Sequence, residues 1–180
     1  MSGCIRRCRV LLMREPVSMG VRRKAREQAL QVLFGLEFNQ TPANLAVRHF
    51  QLSFSEEREP DPYLARLVLG VASNLEELND VIRRHSTNWR LERMAIVDKN
   101  ILRLASYELF HEEEVPRKVA INEAIEIAKK YGSEDSPSFV NGVLDRVALE
   151  ARGEEGIEGP EKEGGGDAES PTALVEADEI

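Results

Sequence analysis

DPYLARLVLGVASNLEELNDVIRRH, residues 61–85, reads as one long amphipathic helix. Asp61 has the side-chain oxygen that accepts the free amides of a first helical turn, and Pro62 fits at N1, where its missing N–H costs nothing. Leu64, Leu67, Val68, Val71, Leu75, Leu78, Val81 and Ile82 then recur at steps of three and four, which gathers them on one face. The same period runs through most of the chain. It joins Val21, Ala25, Ala29, Val32, Leu33 and Leu36, then Leu45, Val47 and Phe50 behind Thr41-Pro42, then Val97, Ile101, Leu104, Ala105 and Leu109. Val119, Ile121, Ala124, Ile125, Ile127 and Ala128 form a further face that stops at Gly132, and Ser136-Pro137 opens a last helix with Phe139, Val140, Val143, Leu144 and Val147. No stretch alternates with the two-residue period of a strand between hairpin turns. The expected fold class is all-α, with about six helices. Each has an outer face too polar for a fully buried central position, so small packed bundles of three are expected.

The 180 residues are 42% apolar, enough for one ordinary domain, and no run reaches the roughly 20 apolar residues of a membrane span. Cys4 and Cys8 make no disulfide framework, and no Cys/His cluster has zinc-ligand spacing, so a reduced, cytoplasmic setting is expected. The net charge of −8 hides an asymmetry. Residues 1–27 hold eight bases against Glu15 and Glu27, while residues 151–180 hold ten acids against Arg152 and Lys162. Three segments follow. Residues 1–18 have a short apolar patch, Val10 to Met13, too brief for a signal peptide and followed by Pro16; Met19 opens a better helix start, so Met19 rather than Met1 is expected to be the natural initiator and residues 1–18 a dispensable or misassigned extension. Residues 19–150 are the helical domain. Residues 151–180, rich in Gly, Glu and Pro, are expected to be disordered.

Nothing in the chain has the spacing of catalysis. There is no glycine-rich phosphate loop, no GxSxG and no HExxH, and His49, His85 and His111 lie far apart among charged or apolar neighbours. Glu112-Glu113-Glu114 reads as a solvated acidic turn. Neither a catalytic residue, a metal site nor a cofactor is assigned. The strongest functional patch is Arg22, Arg23, Lys24 and Arg26, within one and a half turns near a helix start. The macrodipole favours acids there, so four bases suggest that an anionic ligand supplies the difference. A solvated basic face is the ordinary alternative. Tyr131 and Phe139 flank the turn Gly132-Ser133-Glu134-Asp135-Ser136, where aromatic faces and free amides suit nucleic acid. On spacing alone, capping by Gly132 and by Asp135 or Ser136, with Phe139 in the core, explains this turn better.

Three blocks carry a resemblance: VRRKAREQALQVLFGLE, VDKNILRLASYEL, and VPRKVAINEAIEIAKKYGSEDSPSFVNGVLDRV. Together they resemble the NusB family of bacterial transcription antitermination factors, over roughly residues 20–148. The resemblance implies a non-enzymatic fold of two perpendicular three-helix bundles. It implies pairing with NusE, a small-subunit ribosomal protein, and binding of boxA RNA in ribosomal RNA leaders. It also implies joining NusA, NusG and RNA polymerase in a complex that suppresses termination. The family's arginine-rich helix falls on Arg22, Arg23, Lys24 and Arg26. Its RNA-contacting turn falls on Tyr131 through Phe139, with Asp135 facing the RNA, and its partner-facing acid falls on Asp98, with Glu92 as a second candidate. Phe34 stands where the family often has tyrosine, keeping a stacking face without the hydroxyl, and Ser138 stands where it often has a base.

Two other classes share these features: the RNA-binding module fused to ribosomal RNA cytosine methyltransferases, and a helical scaffold that binds only protein. The sequence leaves open whether the free chain is a monomer or a homodimer. On this reading, Arg23→Ala with Arg26→Ala weakens RNA binding and leaves the fold intact.

Overall fold

The computed structural model describes residues 19–54, 61–86, 89–151 and 153. Seven α-helices and one short 3₁₀ turn follow in order: α1 Met19–Leu36, α2 Ala43–Phe54, α3 Pro62–Ser73, α4 Leu75–His85, the 3₁₀ turn Leu91–Arg93, α5 Ile96–His111, α6 Arg117–Tyr131 and α7 Ser136–Glu150. Among the described residues there is no strand. The expectations for residues 1–18 and for the segment beyond Gly153 lie outside the described residues.

Asp61 caps α3 as the sequence suggests: its Oδ1 accepts the amides of Tyr63 at 2.8 Å and Leu64 at 3.4 Å, with Pro62 in the first turn. The stretch 62–85 does not run through as one helix. At Asn74 the backbone turns to φ −113°, ψ 23°, and the side-chain amide donates to the Gly70 carbonyl at 2.8 Å. A short polar side chain that bonds its own backbone competes with the helical ladder, and here it ends α3 and begins α4. Glu76 and Glu77 at the start of α4, with Arg83, Arg84 and His85 at its end, complement the new helix's dipole. The break raises the count to seven helices.

α1, α2 and α3 pack on one another; α5, α6 and α7 pack on one another, with α4 against α5 and α7. α5 also packs on α1 and α3, so it belongs to both halves. Its turns from Asn100 to Ser106 are buried on every side. That corrects the expectation that no helix is central. The polar residues of α5 are tolerated because neighbours satisfy them: Arg103 donates to Asn79 at 2.8 Å, to Asn100 at 3.0 Å and to Glu37. Gly70 lets α3 approach closely, because a Cβ there would run into the ring of Tyr107 on α5. Leu64, Leu67, Ile82, Leu102 and Leu144, from four helices, meet in one continuous apolar core.

Candidate nucleic-acid interface

The first turns of α1 carry the four bases, and the helical period decides where each one points. Arg26 lies three residues before Ala29 and four before Leu30, both buried, so it sits on the core face and is only 2% exposed. Its Nε donates to the Glu108 carboxylate of α5 at 2.8 and 3.1 Å, and its other nitrogens lie 3.1 Å from the Tyr63 hydroxyl and 3.8 Å from Glu123. Tyr63 also donates to Glu108. Burial raises the Glu108 carboxyl above its usual range, against the pull of Arg26, and burial together with Glu108 raises the Tyr63 phenol. Arg26 is therefore a core ion pair, which corrects its assignment as an RNA contact. A charge in this position requires buried partners, and the acids of α5 and α6 are those partners.

The other three bases differ. Arg23 grips Glu123 of α6 in a fork, at 2.8 and 2.6 Å, and these bonds hold the Glu123 carboxyl below its usual range. Arg22 lies 3.5 Å from Glu114 and over the ring of Tyr63. Lys24 is exposed and meets no carboxylate among the described residues. The expected open cluster is thus largely closed by intramolecular acids, with Lys24 as its outward-facing member.

Glu27, one turn beyond Arg23, ties α1 to the end of α6. It accepts from the Lys130 ammonium at 2.6 Å and from the Tyr131 hydroxyl at 3.0 Å, and Lys130 lies over the Tyr131 ring. Arg23 and Tyr131 thereby border one surface. In the turn that follows, Gly132 donates its amide to the Ala128 carbonyl at 2.9 Å, and a Cβ there would strike Ser136. The Ser136 hydroxyl, not Asp135, closes the turn by accepting the Ser133 amide at 2.8 Å. Asp135 makes no capping bond and stays exposed. Neither capping candidate caps α7 with its side chain: Asp135 holds the N-cap position without a side-chain bond, and Ser136 bonds back to the Ser133 amide ahead of the helix.

Phe139 does not join Tyr131. It meets Trp89 edge to face at 5.7 Å, across a shallow groove of about 190 Å³ lined by His85, Ser86, Ser138, Val143 and Arg146. Trp89 is 59% exposed, and the neighbouring Arg90 and Arg93 are exposed and form no salt bridge among the described residues, although the charge of Arg90 adds to the pull on the Glu92 carboxyl. The Trp89 groove is the part that sequence reasoning missed. The available signal was a tryptophan, the chain's only one, left in a polar connector. Phe34 stands apart, at the other end of α1, against the exposed Phe38 at 5.2 Å.

The two acids assigned to partner contact also separate. Glu92, in the 3₁₀ turn, is exposed and lies 3.4 Å from Arg83, and its carboxyl is held below its usual range by a backbone hydrogen bond and by Arg83. Asp98, in the first turn of α5, is only 8% exposed, and its Oδ1 has no hydrogen-bond partner among the described residues. Its place on the central helix covers it, which corrects the picture of an open, partner-facing carboxylate. Among the described residues no group of three or more His, Cys, Asp and Glu gathers as a metal site. No described helix is long and apolar enough to cross a membrane.

Cations and aromatic faces set on a rigid helical body define a protein of the binding class. The NusB family model matches residues 23–149. The transcription antitermination protein NusB of Sorangium cellulosum is 50% identical over 130 residues, spanning 72% of this chain and 93% of that protein. Among solved structures, NusB of T. maritima aligns with a TM-score of 0.63 and 39% identity, covering 72% of this chain and 91% of that one. A structure of the antitermination factors NusB and NusE in complex with dsRNA aligns with a TM-score of 0.66 at 24% identity, covering 74% and 99%, and shares the fold. The chain belongs to the NusB family of transcription antitermination proteins, a non-enzymatic family.

Proposed function

We propose that this chain binds boxA RNA of ribosomal leader transcripts, pairs with NusE, and joins RNA polymerase, NusA and NusG in the bacterial cytoplasm to suppress termination. Residues 19–150 carry this role. The observation that bears most weight is the Trp89–Phe139 groove beside unpaired Arg90 and Arg93. Single-stranded bases stack on exposed aromatic faces, while cations follow the phosphates. Tyr131, Asp135 and Lys24 extend the surface toward α1, with Arg23 in reach once RNA competes for it. Phe34 is a peripheral contact. Glu92 is the partner-facing acid. The structural neighbour that holds NusE and RNA lends this reading its partners.

The test is a fluorescence titration of labelled boxA RNA with the full chain and NusE, across a salt series. The pair binds more tightly than the chain alone, and log Kd rises with log salt. Lys24→Ala reduces the slope by about 0.7, the value for one single-strand phosphate contact. Equal affinity for boxA and a scrambled RNA, with or without NusE, refutes the proposal.

A further inference from the structure

The Trp89 groove lies where the described chain leaves its last helix. Glu150, which ends α7, bonds Arg84 and His85 at 2.5 Å each, and His85 is a wall of the groove. The next residue, Ala151, is fastened by its carbonyl to Arg117 at 2.8 Å. The last described turn therefore lies beside a groove with an apolar floor of Trp89, Phe139 and Val143; Arg146, which donates to the His85 carbonyl at 3.3 Å, lines it, and the exposed Arg90 is the residue next to Trp89.

The sequence that follows has the complementary character. Residues 154–163 read EEGIEGPEKE, one apolar Ile157 among five acids and a single lysine. Ile157 is seven residues from Glu150, a span of up to about 24 Å when extended. We propose that this segment docks in the groove of its own chain, Ile157 on the aromatic floor and its flanking carboxylates on the exposed Arg90, and so competes with RNA. The competition rests on the RNA reading above; the docking does not. Tethering gives the segment a local concentration in the millimolar range, so a weak contact suffices to occupy the groove much of the time.

Trp89, the only tryptophan, is the built-in reporter. The experiment compares the full chain with a full-length variant carrying Gln at positions 154, 155, 158, 161 and 163, using acrylamide, an uncharged quencher. At low salt the natural chain is quenched about half as steeply as the variant. Arg90→Gln in the natural chain removes the same protection, and about 1 M salt, where the screening length is about 3 Å, closes the gap. Single-stranded RNA binds the variant three- to tenfold more tightly, as expected when a third to a tenth of the groove is free at any moment in the natural chain. Equal quenching in chain and variant overturns the docking, and a higher RNA affinity with unchanged quenching assigns the effect to long-range repulsion instead. Protection that grows with protein concentration places the segment on a second copy and also overturns the proposal. If RNA fails to shield Trp89 in the variant, the RNA reading fails, whatever the segment does.

Discussion

Arg22, Arg23 and Arg26 on α1 are matched by Glu114, Glu123 and Glu108, whereas Arg90 and Arg93 beside Trp89 form no salt bridge among the described residues. The first region is the more basic along the chain and the second is the more open on the surface. Basic density in a sequence counts charges; binding depends on which of them the fold has not already used. The start of α1 spends its guanidinium groups on holding α1 to α5 and α6. The connector after α4 leaves Arg90 and Arg93 exposed and in no salt bridge among the described residues.

The contrast breaks most visibly at Arg26. Arg26→Ala leaves the buried Glu108 carboxylate without its main partner and is expected to cost about 3–5 kcal/mol of stability, read as a large fall in the denaturant midpoint. The RNA affinity of the molecules that remain folded is unchanged. A stable Arg26→Ala variant with weakened RNA binding would reverse the roles assigned to the two regions. It would also restore the expectation, drawn from the sequence, that Arg23→Ala with Arg26→Ala spares the fold.

Trp89→Ala is the converse case. Loss of one stacking face is expected to weaken RNA binding by about 1–3 kcal/mol, the range for one base–aromatic contact. The melting temperature changes little, because the side chain is largely exposed. Titration with labelled RNA and a thermal melt, on the same preparation, separate the two effects. Unchanged RNA affinity would remove the groove from the interface.

Acid offers the finest comparison. Glu123 and Glu37 are held below the usual carboxylate range, by Arg23 and by Lys99 with Arg103 respectively, despite their partial burial. A carboxyl lowered in the folded state stabilises the fold above its unfolded pKa, and that contribution disappears as pH falls through the folded value. The contribution of these two carboxylates is therefore complete above about pH 5.5, and the melting temperature should decline below about pH 4.5. Glu123→Gln should blunt the decline. A midpoint that drops between pH 7 and 6 would show that these carboxylates do not govern it.

Much of the fold was legible because the apolar period is local. Asp61-Pro62 and Ser136-Pro137 mark helix starts, and the faces they open are the faces that are buried. The break at Asn74 was hidden for the same reason: Val71, Leu78 and Ile82 continue the rhythm across it and bury on the same core. The bond from Asn74 to Gly70 leaves no trace in that rhythm. The candidate site was legible only in part. The helical period already placed Arg26 on the core side of α1, but its acidic partner lies 82 residues away. Trp89 and Phe139 are brought together by the packing of α4 on α7, and no spacing along the chain announces that meeting. From spacing Asp135 reads as a possible cap of α7; it holds that position, but its side chain makes no capping bond and stays exposed.

α5 lends its surface to both halves of the protein, so neither half has a private interior. Removing the first three helices would strip from α5 the cover of α1 and α3, and removing the last two would strip that of α6 and α7. The two bundles are therefore expected to melt as a single cooperative unit, with the amides of α5 exchanging only when the whole molecule opens.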